Sequence, residues 1–334
     1  MKAETEIGSE FWDIPTTTHD NGLFPASTQW YQSGRSALRA ILAENRFRTA
    51  ALPSWCCESM IQPFLDAGAE VSFYPAMQDV KTDAEVTLVM DHFGYRRELP
   101  VSTHGKIIRD LTHSVFCGTY EDADYYFGSL RKWAGFLTGG FAWTQDGHAL
   151  PAGKPDNTPY TRMRRTAMQH KRCYLFDLPD ENGNRIVDKG YLKTFSEAEE
   201  LLEHSEITAG DPVDAEAARK LDVEFIRTRR RENAAVLLKT VADLALFPEL
   251  EEQDVPLFVP IRVSNGKRDA LRTYLRERSI YCPIHWPLSE YHRLNDRMRT
   301  IYMDEISLVC DQRYSCEDIK RIAEAAEVFS QGAE

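Results

Sequence analysis

Short apolar runs alternate with helix-like segments through the first 145 residues of the chain. Helix patterns at 34–46 and 56–67 are separated by strand patterns at 48–53 and 70–75. The run Val86–Met90 is apolar and rich in β-branched residues, which is typical of a strand buried on both faces. This alternation predicts an α/β sheet with helices on both faces, in which ligands bind at the carboxyl ends of the strands.

Two chemically distinctive side chains follow predicted strands in this region. The strand patterns at 105–110 and 124–129 end at Asp110 and Ser129, and Lys132 comes three residues after the serine. A lysine forms a Schiff base only through its unprotonated amine, and a carboxylate facing the ring nitrogen of pyridoxal phosphate (PLP) keeps that nitrogen protonated. The two residues therefore predict a PLP site, with Lys132 as the Schiff-base lysine and Asp110 at the ring nitrogen.

The sequence around Lys132 is aromatic. Phe127, Trp133 and Phe136 lie within five residues of it, and we expect them to provide an apolar setting that favours the uncharged amine. Taken alone, Lys132 and Asp110 have more ordinary explanations, because most lysines are solvated surface charges and many strand-ending aspartates cap turns or helices. Their order, with room for one strand between them, favours the PLP interpretation.

A helix with a small-residue start is predicted upstream of both residues. Ser33 is a candidate N-cap for a helix whose apolar face is formed by residues within 37–42. The backbone N–H groups at such a helix start, at Gly34, Arg35 and Ser36, suit a phosphate group. An ordinary capped helix is the alternative, and only the aspartate and lysine that follow in order favour the phosphate site.

Several motifs together resemble the DegT/StrS family of fold-type I PLP-dependent aminotransferases, many of which act on nucleotide-linked keto-sugars. The motifs are Ser-Gly-x-x-Ala-Leu at 33–38, Asp-x-x-His at 110–113, Ser-x-x-Lys at 129–132 and Gly139-Gly140. Weaker similarity is found at 52–57, 61–71, 266–287 and 311–315, so that the resemblance covers about 26–145 and 255–325. It implies a large domain with a mostly parallel mixed sheet flanked by helices, and a small C-terminal α+β domain.

The resemblance implies a role for each matching residue. Lys132 would form the Schiff base and act as the acid/base, Asp110 would pair with the pyridine nitrogen, and His113 would lie beside the phenolic oxygen. The other cofactor-binding residues would be Gly34, Arg35, Ser36 and Ser129, with Trp55 or Cys57 near the open ring face. The substrate candidates are His285, Tyr314 and Arg131, and for Arg131 a structural ion pair is the alternative.

The chain also departs from the family pattern. Ser129 and Lys132 are two residues closer together than in many sugar aminotransferases, and Tyr160-Thr161-Arg162-Met163 lacks the asparagine of the family's Asn-x-Arg-Met segment. These departures weaken the substrate assignment but leave the cofactor assignment intact. A basic run follows, which is either a solvated helix face or a contact with a partner's active site. It comprises Arg162, Arg164, Arg165, Lys171 and Arg172.

The predicted domains follow from these patterns. We expect an N-terminal arm at 1–25, a large PLP-binding domain at 26–225 and a small domain at 226–334. The large domain includes a central segment at 146–220 that aligns poorly and is assigned to dimer or substrate contacts. Long helices are predicted at 190–204 and 214–241, and the small domain is predicted to contain a strand at 306–309 and helices at 267–278 and 315–329.

Bulk composition narrows the class of protein without choosing an activity. The formal net charge of −12 argues against nucleic acid as a general partner. No apolar run approaches the roughly 18–20 residues that span a bilayer, so we expect a soluble cytoplasmic protein without membrane contacts. The seven cysteines are scattered and the nine histidines have no metal-ligand spacing, so no metal site is predicted. A homodimer is expected, because fold-type I sites usually take residues from two subunits.

Three functions remain as hypotheses. The first is a PLP-dependent aminotransferase that takes its amino group from an amino acid, glutamate or glutamine, and gives it to a keto acceptor such as a nucleotide-linked keto-sugar. The second is another PLP reaction on the same scaffold, such as a lyase or aldolase. Sugar dehydratases of the family replace the lysine with histidine, so Lys132 argues against that activity. The third is a non-catalytic binding protein that has kept the fold.

Overall fold

A computed structural model describes residues 6–97, 100–203, 206–330 and 332 of the chain. The helices in these residues are α1 (Gly34–Glu44), α2 (Glu58–Asp66), α3 (Tyr160–Phe176), α4 (Tyr191–Glu203), α5 (Pro212–Arg219), α6 (Val223–Val241), α7 (Arg268–Glu277), α8 (Asp296–Asp304) and α9 (Cys316–Ser330). The strands are β1 (Ile7–Gly8), β2 (Gln29–Tyr31), β3 (Thr49–Pro53), β4 (Glu70–Tyr74), β5 (Val80–Lys81), β6 (Val86–Met90), β7 (Val101–Ser102), β8 (Lys106–Asp110), β9 (Tyr125–Ser129), β10 (Gly140–Thr144), β11 (Phe258–Arg262), β12 (Ile280–Tyr281) and β13 (Glu305–Val309).

The described residues form two compact units, each assembled from separate stretches of chain. Unit 1 takes its residues from Met1–Ser9, Phe47–Ala123 and Val223–Glu334, and unit 2 from Glu10–Arg46 and Asp124–Asp222. Because both units are discontinuous, they do not test the continuous domains predicted at 1–25, 26–225 and 226–334, which stay a prediction.

The parallel strands of unit 1 bring their carboxyl ends to one edge. The order is β8-β6-β3-β4, and each neighbouring pair is parallel. The interior strand β6 is apolar and buried along nearly its whole length, as expected for a strand with neighbours on both sides. In its register with β8, Met90 lies beside Asp110, so the segments that follow the two strands begin side by side.

Unit 1 also contains the α+β elements predicted near the C-terminus. Strands β11 and β13 pair antiparallel, and helices α6, α7 and α9 pack with them around one apolar core. The predicted strand and the helices at 267–278 and 315–329 are confirmed as β13, α7 and α9. Helix α8 was not predicted, although it begins after a regular N-cap, Asn295, whose side chain accepts a hydrogen bond from the Met298 N–H group.

Unit 2 contains an antiparallel sheet that supports helix α1. Its order is β2-β10-β9, and α1 packs on β9 and β10. The Ser33 hydroxyl accepts a hydrogen bond of 3.1 Å from the Ser36 N–H group, which confirms the predicted N-cap. A Cβ atom at Gly140 would lie 2.3 Å from the Ser33 carbonyl oxygen, so only glycine allows β10 to approach the helix start this closely.

The strand pairings agree with the predicted fold class. Among the strands of these two sheets, three described pairings are parallel and two are antiparallel, which is the mixed, mostly parallel α/β arrangement. Within the described ranges, no helix combines the length and apolar character needed to cross a bilayer.

The helix predicted at 214–241 is interrupted, and distant contacts explain why. The carbonyl group of Lys220 accepts a hydrogen bond from the Thr17 N–H group, and that of Leu221 accepts one from the Asn21 side chain. The N–H group of Asp222 donates to the Pro15 carbonyl group at 2.9 Å. These backbone groups are therefore bonded to residues 15–21, so the chain divides into α5 and α6 at this point.

Among the glycines of unit 1, we expect substitution of Gly94 to be the most destabilising. It has φ +77°, and a Cβ atom there would lie 1.9 Å from the Val255 carbonyl oxygen. We expect Gly94→Ala to lower the free energy of unfolding by about 3 kcal/mol or more, since left-handed strain and a backbone clash act together. Urea-induced unfolding of the purified variants measures this change.

Gly147→Ala is the matched control. Gly147 has φ +79° but nothing within 4 Å of its Cβ position, so only the conformational strain of about 1–2 kcal/mol remains. Equal losses of stability in the two variants would show that the close approach of Val255 to Gly94 does not add to the destabilisation.

Candidate active site

Asp110 is a buried carboxyl group at the end of β8. Its side chain accepts a hydrogen bond of 2.7 Å from the Thr112 N–H group, and the residue is only 4% exposed. Burial raises the pKa of Asp110 to about 6, against the opposing effect of hydrogen bonds from Thr112. No basic side chain among the described residues contributes to lowering this pKa. A cationic group brought to this carboxyl would therefore stabilise its ionised form, as the predicted role at a protonated ring nitrogen requires.

His113 lies in a cluster of aromatic rings near Asp110. Its Nδ1 atom accepts a hydrogen bond of 3.2 Å from the Phe93 N–H group, so in the neutral ring the proton is on Nε2. The ring stacks on Trp286 with centroids 5.5 Å apart, and His285 lies edge-on at 6.1 Å. The neutral His113 ring thus carries its hydrogen on Nε2, and an N–H group suits the predicted position beside a phenolic oxygen.

Trp55 and Cys57, the two candidates for the open ring face, have different surroundings. Trp55 is fully buried, stacks on His92 at 4.9 Å, and donates from Nε1 to the His285 carbonyl group at 2.8 Å. Cys57 is the N-cap residue of helix α2 and is half-buried, with its Sγ atom 2.9 Å from the Ser59 hydroxyl. The assignment of either residue to the ring face stays a prediction, and the burial of Trp55 favours Cys57.

Sequence reasoning did not assign a role to His92 and Phe93, which belong to the same ring cluster. They follow β6, and the His92 Nε2 atom donates to the Trp55 carbonyl group at 2.8 Å. Burial lowers the pKa of His92 to about 4, so this ring is neutral at physiological pH. Their position after a buried parallel strand was the signal in the sequence, because residues at that edge meet one another.

The two substrate candidates in unit 1 have separate environments. The Tyr314 hydroxyl accepts a hydrogen bond of 2.8 Å from the Gly8 N–H group, and its ring belongs to the core around β11 and β13. His285 is 5% exposed and contacts the rings of Phe93, His113 and Trp286. The structure therefore brings His285, but not Tyr314, into the described ring contacts with His113.

In unit 2, Lys132 ends the turn that follows β9. The 3-10 turn Leu130–Lys132 starts directly after Ser129, and the Lys132 side chain is exposed. Neighbouring aromatic residues were expected to surround this amine. That expectation is wrong, because the amine is exposed whereas the aromatic side chains are buried in the core. Phe127, Trp133 and Phe136 are 3%, 0% and 0% exposed.

The start of α1 and the end of β9 form a small polar corner. A Cβ atom at Gly34 would lie 3.4 Å from the Ser129 Cβ atom, so the two residues are in contact. The Ser129 hydroxyl is buried and has no hydrogen-bond partner among the described residues. Helix-start N–H groups beside an unsatisfied hydroxyl fit a phosphate.

Arg35 and Ser36 direct their side chains elsewhere. The Arg35 guanidinium donates to the Leu202 carbonyl group, and the Ser36 hydroxyl donates to the Glu206 carbonyl group at 3.0 Å. In the described arrangement, the predicted contribution of Arg35 to a phosphate site would therefore come from its backbone and not from its side chain. The Ser36 N–H group donates to the Ser33 hydroxyl as the helix cap, so neither the side chain nor the N–H group of Ser36 is directed to a phosphate.

Arg131 is part of an ion-pair network that holds the Lys132 turn. It donates to both carboxylate oxygens of Glu199, one of them at 3.2 Å, and to the Tyr160 hydroxyl at 2.9 Å. Arg164 donates to the same Glu199 at 3.3 Å and to Glu10 at 3.1 Å. Burial raises the pKa of Glu199, but the two arginines outweigh this effect and lower the pKa to about 2. The structural ion pair is the alternative that this geometry favours for Arg131.

The basic run on α3 is not one solvated face. Arg164 is 1% exposed and Lys171 is fully buried, with the Lys171 amine donating to the Glu10 carbonyl group at 2.7 Å. Arg162, Arg165 and Arg172 are exposed. The expectation of a single solvated face is therefore wrong for Arg164 and Lys171, which are used within unit 2.

Each unit holds residues that fit a different part of PLP. Unit 1 has a buried carboxyl group that lacks a cationic neighbour among the described residues. Unit 2 has an unsatisfied hydroxyl beside a helix start and an exposed lysine amine. In the part of the chain that the structure describes, no three His, Cys, Asp or Glu side chains are arranged to hold a metal ion.

Comparison with solved structures identifies proteins that share this fold. Spr1654 from Streptococcus pneumoniae, described as a sugar aminotransferase and solved in its PLP form, is 15% identical, with a TM-score of 0.61 and coverage of 96% of this chain and 93% of its own. A DegT DnrJ EryC1 StrS aminotransferase from Brucella abortus is 15% identical, with a TM-score of 0.58 and coverage of 90% and 85%. DesI, solved in the presence of its TDP-sugar product, is 14% identical, with a TM-score of 0.58 and coverage of 90% and 80%.

These similarities concern the fold. No protein-family model matches the chain, and no curated protein sequence matches it. At about 15% identity, the solved structures establish a common fold, and it is the fold that the sequence resemblance implied.

Asp110 is expected to make the stability of the cofactor-free protein depend on pH. The folded-state pKa of about 6 lies above the ordinary value of 3.8, so the folded state binds more protons between these values. The free energy of unfolding therefore falls as pH rises through this window, by up to about 3 kcal/mol, and is constant above it. Asp110→Asn should remove this contribution.

Urea unfolding of wild type and Asp110→Asn at several pH values measures the difference between them. We expect the variant to gain stability relative to wild type from about pH 4 to pH 7. A difference that does not change with pH would contradict the burial of an uncompensated carboxyl group at this position.

Glu199→Gln tests the network around the Lys132 turn. The change removes the charge that Arg131 and Arg164 share, so we expect a loss of about 2 kcal/mol in the free energy of unfolding. Glu206→Gln is the control, because Glu206 is exposed and its ion pair is with the exposed Lys154. Chemical denaturation should show little change for the control, and an equally small change for Glu199→Gln would exclude a stabilising network.

Proposed function

We propose that this chain is a PLP-dependent aminotransferase that moves an amino group from an amino acid to a keto-sugar. The observation that carries the proposal is Asp110, a buried carboxyl group at a strand end that no basic side chain of the described residues stabilises. Such a group matches the protonated nitrogen of PLP. The fold shared with proteins described as sugar aminotransferases supports the same activity.

We assign the following roles to the residues of unit 1. When bound, PLP supplies an electron sink for the bonds of the amino-bearing carbon. The Asp110 carboxylate would hold a proton on the ring nitrogen, and the raised pKa of Asp110 would fall once that cation is present. His113, with its Nδ1 atom accepting from Phe93, would donate from Nε2 to the phenolic oxygen.

We assign covalent attachment and phosphate binding to residues of unit 2. The Lys132 amine would be the attachment point and would then take a proton from the substrate carbon and return it, as a general base and acid. The N–H groups of Gly34 and Arg35 at the start of α1 and the Ser129 hydroxyl would bind the phosphate. The ion pair between Arg131 and Glu199 would orient the turn that carries Lys132.

The donor, the acceptor and the assembly belong to the same proposal. Glutamate or glutamine is the donor we infer from the family resemblance, and a nucleotide-linked keto-sugar is the acceptor. DesI was solved in the presence of its TDP-sugar product, which supports an acceptor of that class. The proposed assembly is a cytoplasmic homodimer, and light scattering of the purified protein would test its dimeric state.

The visible absorption spectrum of the purified protein mixed with PLP tests the proposed function. We expect wild type to develop a visible band that L-glutamate or L-glutamine removes, because either donor would convert the cofactor to its amine form. Lys132→Ala should lack the original band. Lys154→Ala is the matched control, because Lys154 is also an exposed lysine of unit 2 and should behave like wild type.

Each result has a separate meaning. A band in wild type that neither amino acid removes would overturn the proposed donors. An undiminished band in Lys132→Ala would overturn the assignment of Lys132. Absence of a band in folded wild type, as judged by circular dichroism, would overturn the enzyme proposal itself.

A further inference from the structure

A buried carboxyl group is connected to the His285 ring through one serine hydroxyl. Glu305 and Ser307 are two residues apart on β13, so their side chains point to the same face of the strand. The His285 Nδ1 atom lies 2.8 Å from the Ser307 Oγ atom, which lies 2.5 Å from the Glu305 Oε1 atom. The other Glu305 oxygen accepts a hydrogen bond of 2.7 Å from the backbone N–H group of His285.

All three residues are removed from solvent. Glu305 and Ser307 are 0% exposed, and His285 is 5% exposed. Water therefore does not compete for the hydrogen bonds between these three residues. Each shared hydrogen atom must lie on one of the two atoms that its hydrogen bond joins. The position of one proton then fixes the positions of the others.

This geometry permits two arrangements of hydrogen atoms. When Glu305 is ionised, the Ser307 hydroxyl donates to it and accepts from Nδ1–H of His285, which leaves Nε2 as the acceptor nitrogen. When Glu305 is protonated, its O–H group donates to Ser307, and the Ser307 hydroxyl donates to Nδ1, so that Nε2 carries the hydrogen. The His285 ring is neutral in both arrangements.

Burial, and not a neighbouring charge, favours a neutral glutamic acid at Glu305 at moderate pH. Burial raises the pKa of Glu305 to about 8, although the Arg268 guanidinium of α7 and the hydrogen bonds from Ser307 and His285 oppose this. Burial raises the pKa of the Cys282 thiol to about 12, and the charge of Glu305 acts in the same direction. On the other side, the His113 ring lies 6.1 Å from that of His285.

We infer that Glu305, Ser307 and His285 form a proton relay in which the state of Glu305 decides which ring nitrogen of His285 carries the hydrogen. A proton that arrives at Nε2 moves the Nδ1 hydrogen to Ser307 Oγ and the Ser307 hydrogen to Glu305 Oε1. One N–H bond forms at Nε2, the N–H bond at Nδ1 breaks, and the net charge of Glu305 changes from −1 to zero. Glu305 and Ser307 are positioning residues for His285, and the relay does not rest on the proposed transaminase activity.

The relay is tested on cofactor-free protein with histidine labelled by ¹⁵N, because ¹⁵N chemical shifts distinguish the two neutral tautomers. A spectrum of His285→Asn identifies the His285 signals among those of the nine histidines. We expect wild-type His285 to change from the Nε2–H to the Nδ1–H tautomer as pH rises through about 8, the pKa of Glu305.

Glu305→Gln gives the sharpest expectation. The glutamine carbonyl would still accept from the backbone N–H group of His285, while the glutamine NH₂ group would donate to the Ser307 hydroxyl at every pH. His285 should then stay in the Nε2–H form throughout, and Ser307→Ala should also abolish the pH-dependent change by cutting the connection. The exposed Glu290 provides a control, since Glu290→Gln should behave like wild type.

Three results would overturn the relay. They are a wild-type His285 that keeps one tautomer from about pH 6 to about pH 10, a ring that gains a second hydrogen in place of exchanging one, and a Glu305→Gln protein that retains the wild-type change. The wild-type measurement alone decides the question if a variant does not fold.

Discussion

The parallel register between β6 and β8 is the constraint on which the chemistry of unit 1 depends. It sets Met90 beside Asp110, so the segments that follow these strands start at the same edge. Phe93 then donates its N–H group to His113, and Gly94 accepts from the backbone of Val255. A shift of one residue in this register would turn the Asp110 side chain to the opposite face of the sheet. The same strand pairing therefore places both the carboxyl group and the ring cluster.

Buried carboxyl groups among the described residues are of two kinds, those compensated by arginine side chains and those held only by hydrogen bonds. In unit 2, Glu199 is compensated by Arg131 and Arg164, and its pKa is low. In unit 1, Asp110 and Glu305 are buried with hydrogen bonds but form no ion pair with a described residue, and their pKa values are raised. Compensated charges stabilise a turn, whereas uncompensated carboxyl groups keep a proton within reach of the physiological range.

The sequence was sufficient for elements whose pattern is local. The strand at Val86–Met90 was predicted with its observed bounds because every position is apolar or β-branched, and the helix start at Ser33 was predicted from its cap. The break between α5 and α6 could not be predicted, since it depends on hydrogen bonds with residues 15–21. The orientation of residues around Lys132 was also out of reach, because aromatic neighbours in sequence point into the core. The contact of His285 with Ser307 likewise joins residues that only the fold brings together.

The close fit of Gly140 against Ser33 has a consequence for recognition. The backbone of β10 supports the first turn of α1 directly, without an intervening side chain that can change rotamer. The N–H groups at this helix start are consequently ordered when the chain folds, so an anion that arrives there does not have to immobilise a loop. Preorganisation of this kind removes an entropy loss from the binding step and transfers it to folding. Affinity for the anion is thereby linked to the integrity of a strand more than one hundred residues away in the sequence.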